Sequence, residues 1–149
     1  MAASAEIRPV GAGERAAWQP LWKGYLDFYK TSVPDQVYDT TWARLHDPNE
    51  PMHVLGAYSG GALQGIVHYL YHRSCWTIGN YCYLQDLYVA EGARKLGFGR
   101  ALIEAVYKEA RAAGASRVHW LTHETNATAR ALYDTLADRP GFIQYRKLF

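Results

Sequence analysis

With 149 residues the chain has the length of one domain built on one core, and residues 1–149 are read as a single unit. Sixteen lysines and arginines against fourteen aspartates and glutamates leave a formal charge of +2 with the signs interspersed, which excludes a nucleic-acid partner held by bulk charge. Cys75 and Cys82 form neither Cys-x-x-Cys nor a zinc spacing, the start Met1–Ala5 has no basic or apolar leader, and no run reaches about 18 apolar residues; together these predict a soluble protein of the reducing cytoplasm with no membrane partner.

The elements alternate along the chain without linkers, repeats or low-complexity tracts. Glu6–Val10 reads as a short strand. Trp18, Leu21, Trp22, Tyr25, Leu26 and Tyr29 then recur at helical spacing, with Pro20 expected near the helix start or at a kink. A second helix is expected over Val37–Leu45. Val54–Ser59 and Leu63–Tyr71 flank Gly60-Gly61, a two-residue turn that wants positive φ, so these strands form an antiparallel hairpin. Cys82–Val89 is the fourth strand, Gly99–Ala113 a helix closed by Gly114, Arg117–Leu121 a strand, Asn126–Leu136 a helix and Phe142–Lys147 the last strand. This order predicts a mixed sheet of the α/β or α+β class.

Between the fourth strand and the helix from Gly99 lies Arg94-Lys95-Leu96-Gly97-Phe98-Gly99-Arg100, which reads as a phosphate cradle. The helix start leaves N–H groups without intrahelical partners, the helix dipole adds partial positive charge there, and Gly97 and Gly99 let the backbone approach a pyrophosphate. Arg94, Lys95 and Arg100 add full charges. A P-loop fails, because no Lys-Ser/Thr follows the second glycine. A dinucleotide fingerprint is weak, because Leu102 stands where the third glycine belongs and the strand ends well before the first.

Arg94, Gly97 and Gly99 do fit Arg/Gln-x-x-Gly-x-Gly/Ala, with Val89 five residues before the arginine. Asn126-Ala127-Thr128-Ala129-Arg130-Ala131-Leu132-Tyr133 begins 27 residues after Gly99, and Pro140-Gly141-Phe142 follows. Three motifs in this order resemble the GCN5-related N-acetyltransferase family, whose loop binds the pyrophosphate of acetyl-coenzyme A. Leu21-Trp22-x-x-Tyr25, Asp86-Leu87-Tyr88-Val89 and Trp120-Leu121-Thr122-x-Glu124-x-Asn126 look like the branch of small yeast enzymes that acetylate histone tails, polyamines or D-amino acids. The resemblance implies a mixed, mostly antiparallel sheet of six to seven strands with about four helices, splayed between the fourth and fifth strands. It also implies acetyl-coenzyme A as cosubstrate, a primary amine or protein lysine as acceptor, and a homodimer or higher homo-oligomer pairing through strands and the C-terminal Gln144–Phe149. Cofactor contacts are then expected from Leu87, Val89, the loop Arg94, Lys95, Leu96, Gly97, Phe98, Gly99 and Arg100, and from Asn126 and Tyr133.

Acyl transfer to an amine makes three demands. The thioester carbonyl must be polarised, for which backbone N–H groups near Leu87 and Val89 serve if the sheet splays there. The amine must lose a proton, since an alkylamine of pKa ~10.4 is less than roughly 0.1% neutral at pH 7. Asp86, Glu124 or ordered water are the bases available; Gln85 stands where some relatives carry glutamate and cannot take a proton. A buried carboxylate satisfied by a structural partner is the alternative for Asp86. The departing thiolate must be protonated, and the resemblance gives this to Tyr133 as general acid, with Asn126 holding the cofactor's arm. Trp22, Tyr25 and Tyr29 are expected on the acceptor side, beside Gln85, His72 and Glu124. His68 and His72, four apart in a strand, are about 13 Å from each other and cannot share a metal, so none is expected. The competing function is a non-catalytic acyl-coenzyme A binding or sensing domain.

Overall fold

The computed structural model describes residues 5–149. Five strands, β1 (Glu6–Pro9), β2 (Met52–Ser59), β3 (Ala62–His72), β4 (Tyr81–Val89) and β5 (Val118–His119), lie in that order in one sheet, antiparallel except for the last pair. Helices α1 (Arg15–Phe28) and α2 (Asp35–Leu45) cover one face. Helix α3 (Phe98–Ala112) covers the other, and the short α4 (Ala127–Tyr133) packs Leu132 and Tyr133 at its margin.

The apolar spacing explains these placements. Phe98, Leu102, Ile103, Val106 and Ala110 form one stripe of α3 that packs on Leu55, Ala57, Val67, Tyr69, Cys82 and Leu84. Trp18, Leu21, Trp22 and Leu26 of α1 pack on Val10, Val54 and Ile66 from the opposite side. Pro20 lies inside α1, on its exposed side, and removes only the N–H that would bond Ala16. Gly60 and Gly61, at φ +59° and +80°, close the β2–β3 hairpin as their turn chemistry requires.

Two features decide where a site can form. His68 of β3 pairs with Asp86 but Tyr69 pairs with Leu84, so Gln85 is an extra residue bulged out of β4. The β4–β5 pairing is confined to Cys82 with Val118 and Tyr83 with His119, and ends just before that bulge. The expected strand Arg117–Leu121 therefore shortens to two residues, because Trp120 and Leu121 have no adjacent β4 backbone to pair with.

The expected sheet of six to seven strands is corrected to five among the described residues. Phe142–Lys147 forms no strand: residues 137–149 carry no regular structure. A strand needs a neighbouring edge, and the two-residue β5 offers almost none. Phe142, Ile143, Tyr145, Leu148 and Phe149 are consequently exposed.

Ile103 is fully buried between α3 and the sheet. Ile103→Ala should destabilise the fold by about 2–5 kcal/mol, read from the urea midpoint at constant slope. A loss below about 1 kcal/mol would contradict this packing.

Candidate active site

The bulge sets which way Asp86 faces. Cys82 and Leu84 point into the α3 core, and simple alternation would send Asp86 there too. The extra residue reverses the parity, so Asp86 lies on the α1 side with only 8% of its surface exposed. There its Oδ2 lies 3.0 Å from Nδ1 of the buried His68, whose Nε2 accepts from the Trp18 indole N–H at 2.9 Å.

Phenols collect around this carboxylate. Burial first, and then the negative charge of Asp86, push Tyr25, Tyr29 and Tyr83 above the ordinary tyrosine range, Tyr25 farthest. Tyr133 is pushed up to about 12, by burial and then by its neighbour Tyr29. Aromatic contacts join them: Trp22 stacks on Tyr25 at 5.1 Å, Tyr25 meets Tyr29 at 4.9 Å, and Tyr29 meets His123 at 5.3 Å. On the other side Tyr133 packs edge-on to Trp120 at 5.4 Å.

Past Tyr83 the outer edge of β4 is open. The Ala90 N–H turns inward to Gln64 O at the start of β3, so alternation turns the Val89 and Leu87 amides outward to the gap left by β5. The Val89 carbonyl faces the same way and accepts from Arg94 Nε at 3.2 Å.

The loop then delivers a helix end to that gap. Gly97 sits at φ +84° as the residue before α3, and the first helical bond runs from Ala101 N–H to Gly97 O. The N–H groups of Phe98, Gly99 and Arg100 thus have no intrahelical partner, and no side chain caps them. A Cβ on Gly99 would meet only Leu132 at 3.6 Å, so the protein interior does not itself demand glycine there. Free amides at the positive end of a helix fit a pyrophosphate. The loop side chains divide differently from the sequence expectation. Phe98 is buried in the α3 core, leaving only its backbone for a ligand, and Arg100 is tied to Thr135 Oγ1 at 2.7 Å and to Glu104 at 3.7 Å. Lys95, at φ +65°, and Leu96 are exposed.

Asn126 precedes α4, reaches Thr122 Oγ1 at 3.4 Å, and lines an open cavity of about 500 Å³ with Phe28, Tyr29, Lys30, His123 and Thr125. Trp22 and Gln85 border a smaller cavity of about 180 Å³ with Asp86 and His68. Glu124 is exposed, and its carbonyl rather than its carboxylate accepts from Arg130. His72 is not brought to this group: it pairs with Tyr81, five residues before Asp86 or roughly 17 Å along β4, and faces His119. Among the described residues no three His, Cys, Asp or Glu side chains are grouped to hold a metal. Sequence reasoning missed Trp18, His68 and Tyr83 as neighbours of Asp86. The available signal was His68, a single histidine within the apolar run of β3.

The profile of the acetyltransferase (GNAT) family matches residues 18–137. The chain belongs to that family. It is 37% identical over 144 residues to the D-amino-acid N-acetyltransferase HPA3 of Saccharomyces cerevisiae, covering 95% of this chain and 89% of that one. It is 33% identical over 88 residues to a thialysine N-epsilon-acetyltransferase of Caenorhabditis elegans, covering 59% of this chain and 54% of that one. Among solved structures, the ribosomal-protein-alanine N-acetyltransferase of Brucella melitensis biovar Abortus superposes with TM-score 0.81 at 20% identity, over 98% of this chain and 100% of that one. The aminoglycoside N-acetyltransferase AAC(6')-Iy in complex with CoA also superposes with TM-score 0.81, at 17% identity over 99% and 97%. This GNAT chain is therefore an acetyl-coenzyme A-dependent N-acetyltransferase.

Gly97→Val should abolish acetyl-coenzyme A binding measured by calorimetry, because a branched side chain disfavours φ +84° and the loop loses its shape. Unchanged affinity would overturn the assignment of the cradle.

Proposed function

We propose that this acetyltransferase modifies the primary amine of a small molecule, with an amino acid as the first candidate acceptor and a polyamine or protein lysine as alternatives to be tried. The observation that carries the reading is the gathering of Tyr25, Tyr29 and Tyr83 around Asp86, with Tyr133 next to Tyr29, beside the open edge of β4. Similarity to enzymes named for D-amino acids and thialysine supports the amino-acid class.

Acetyl-coenzyme A supplies an activated acyl group. The free amides before and within the first turn of α3 hold its pyrophosphate, helped by Arg94 and Lys95, and Asn126 holds its arm. The outward N–H groups of Leu87 and Val89 polarise the acyl carbonyl. Asp86 binds the acceptor ammonium and draws its proton, directly or through water, while Trp22, Tyr25 and Tyr29 wall the acceptor side and Gln85 offers an amide to it. Tyr133 gives its proton to the departing sulfur. The 149 residues act as one catalytic domain, in the cytoplasm. No described helix is long and apolar enough to cross a membrane. Two copies pair through the exposed apolar tail Phe142–Phe149, which a single copy leaves unburied.

The pH dependence follows from sign. A phenol raised to about 12 keeps its proton below that pH and loses it only above, so Tyr133 should impose no fall in rate between about pH 9 and 11. Tyr133→Phe should lower kcat about a hundredfold with little change in acetyl-coenzyme A affinity. Equal losses in both would remove Tyr133 from the proton-donor role. The deciding assay is thiol release from acetyl-coenzyme A with D- and L-amino acids, spermidine and a lysine-rich peptide: acceptor-dependent release with an amino acid supports the reading, and release with the peptide alone overturns it.

A further inference from the structure

The contact between Asp86 and His68 has no evident stabilising purpose. Both side chains are almost fully buried, His68 at 5% exposure, against the aromatic rings of Trp18 and Trp22. Removing a carboxylate and an imidazole from water costs free energy that an apolar pair of the same shape would not require.

The Trp18 indole settles the state of His68. Indole Nε1–H can only donate, so His68 Nε2, at 2.9 Å, must accept and carries no proton. The single ring proton is then on Nδ1, where it donates to Asp86 Oδ2 at 3.0 Å. Trp18 comes from α1, His68 from β3 and Asp86 from β4, so the chain of two hydrogen bonds fixes the carboxylate against two elements at once. It is also a dead end for protons: Nε2 is occupied by a group that cannot pass one on.

We propose that His68 and Trp18 are positioning residues for acetyl transfer, which lock Asp86 as an oriented anion toward the acceptor amine and bar proton escape through His68. This rests on the reading of Asp86 as the acceptor's partner. With His68 held on Oδ2 and the Tyr25 phenol also hydrogen-bonded to this carboxylate, Oδ1 is left as the side that the ammonium of the incoming amine approaches. The amine's proton must then leave on the acceptor side, through Asp86 itself or water.

The test uses the full chain labelled with ¹⁵N. Two-bond ¹H–¹⁵N correlation spectra at neutral pH should give His68 the pattern of a protonated Nδ1 and bare Nε2; a protonated Nε2, alone or in an imidazolium, would overturn the proposal. Steady-state kinetics add a second readout. His68→Leu should raise the acceptor KM about tenfold, the equivalent of roughly 1.4 kcal/mol, with the acetyl-coenzyme A KM unchanged. His68→Asn, whose amide can donate from near the Nδ1 position, should recover most of that loss. Equal acceptor KM values for the two variants, or a parallel rise in the acetyl-coenzyme A KM, would overturn it. Asp86→Asn separates the two readings. If it keeps full acceptor turnover, the role of Asp86 itself falls; if it is inactive while His68→Leu keeps the wild-type KM, only the positioning role falls.

Discussion

One inserted residue governs this site. Gln85, bulged from β4 opposite the His68–Tyr69 step, changes the parity of the strand and coincides with the end of its pairing to β5. The first effect turns Asp86 out of the α3 core and under α1. The second leaves the outward amides of Leu87 and Val89 unpaired at a gap. A regular β4 would turn the carboxylate into the apolar core that packs α3 on the sheet.

Around that distortion the fold is conventional and stiff. The β2–β3–β4 core of the sheet is long and paired apart from bulges at Gln64 and Gln85, and helices cover both faces with apolar stripes. The groups proposed for chemistry therefore sit on or beside elements packed into that core. Asp86 is on a central strand, Tyr25 and Tyr29 are on or beside α1, and Tyr133 ends α4. The amides proposed to bind the pyrophosphate begin α3, so their direction is set by the same core that holds the sheet together. Burial keeps the phenols protonated, which suits the proton-donor role proposed for Tyr133.

The C-terminal residues contrast with this. Five large apolar side chains after Gly141 face solvent on a stretch without regular structure. Their aromatic and β-branched types suit a strand, yet the described residues form none there, and the two-residue β5 is too short to receive one.

The sequence by itself determined the family, the order of elements as far as α4 and the glycine loop before α3, because these depend on local patterns: helical spacing in α1 and α3, Gly60-Gly61 at a hairpin, and Arg94, Gly97 and Gly99 before a helix. It also singled out Asp86, Asn126 and Tyr133 through motif position; the structure brings Tyr25 and Tyr29 to Asp86, while leaving His72 at the far end of β4 and Phe98 in the core. Tertiary structure alone decided the rest. A bulge depends on the register between two strands, and nothing local distinguishes Gln85 as the residue that will not pair. The same register brings His68 across from Asp86 and Trp18 down from α1, residues 18 and 50 positions from His68 along the chain. Partners so far apart are joined by packing, which no short sequence window contains.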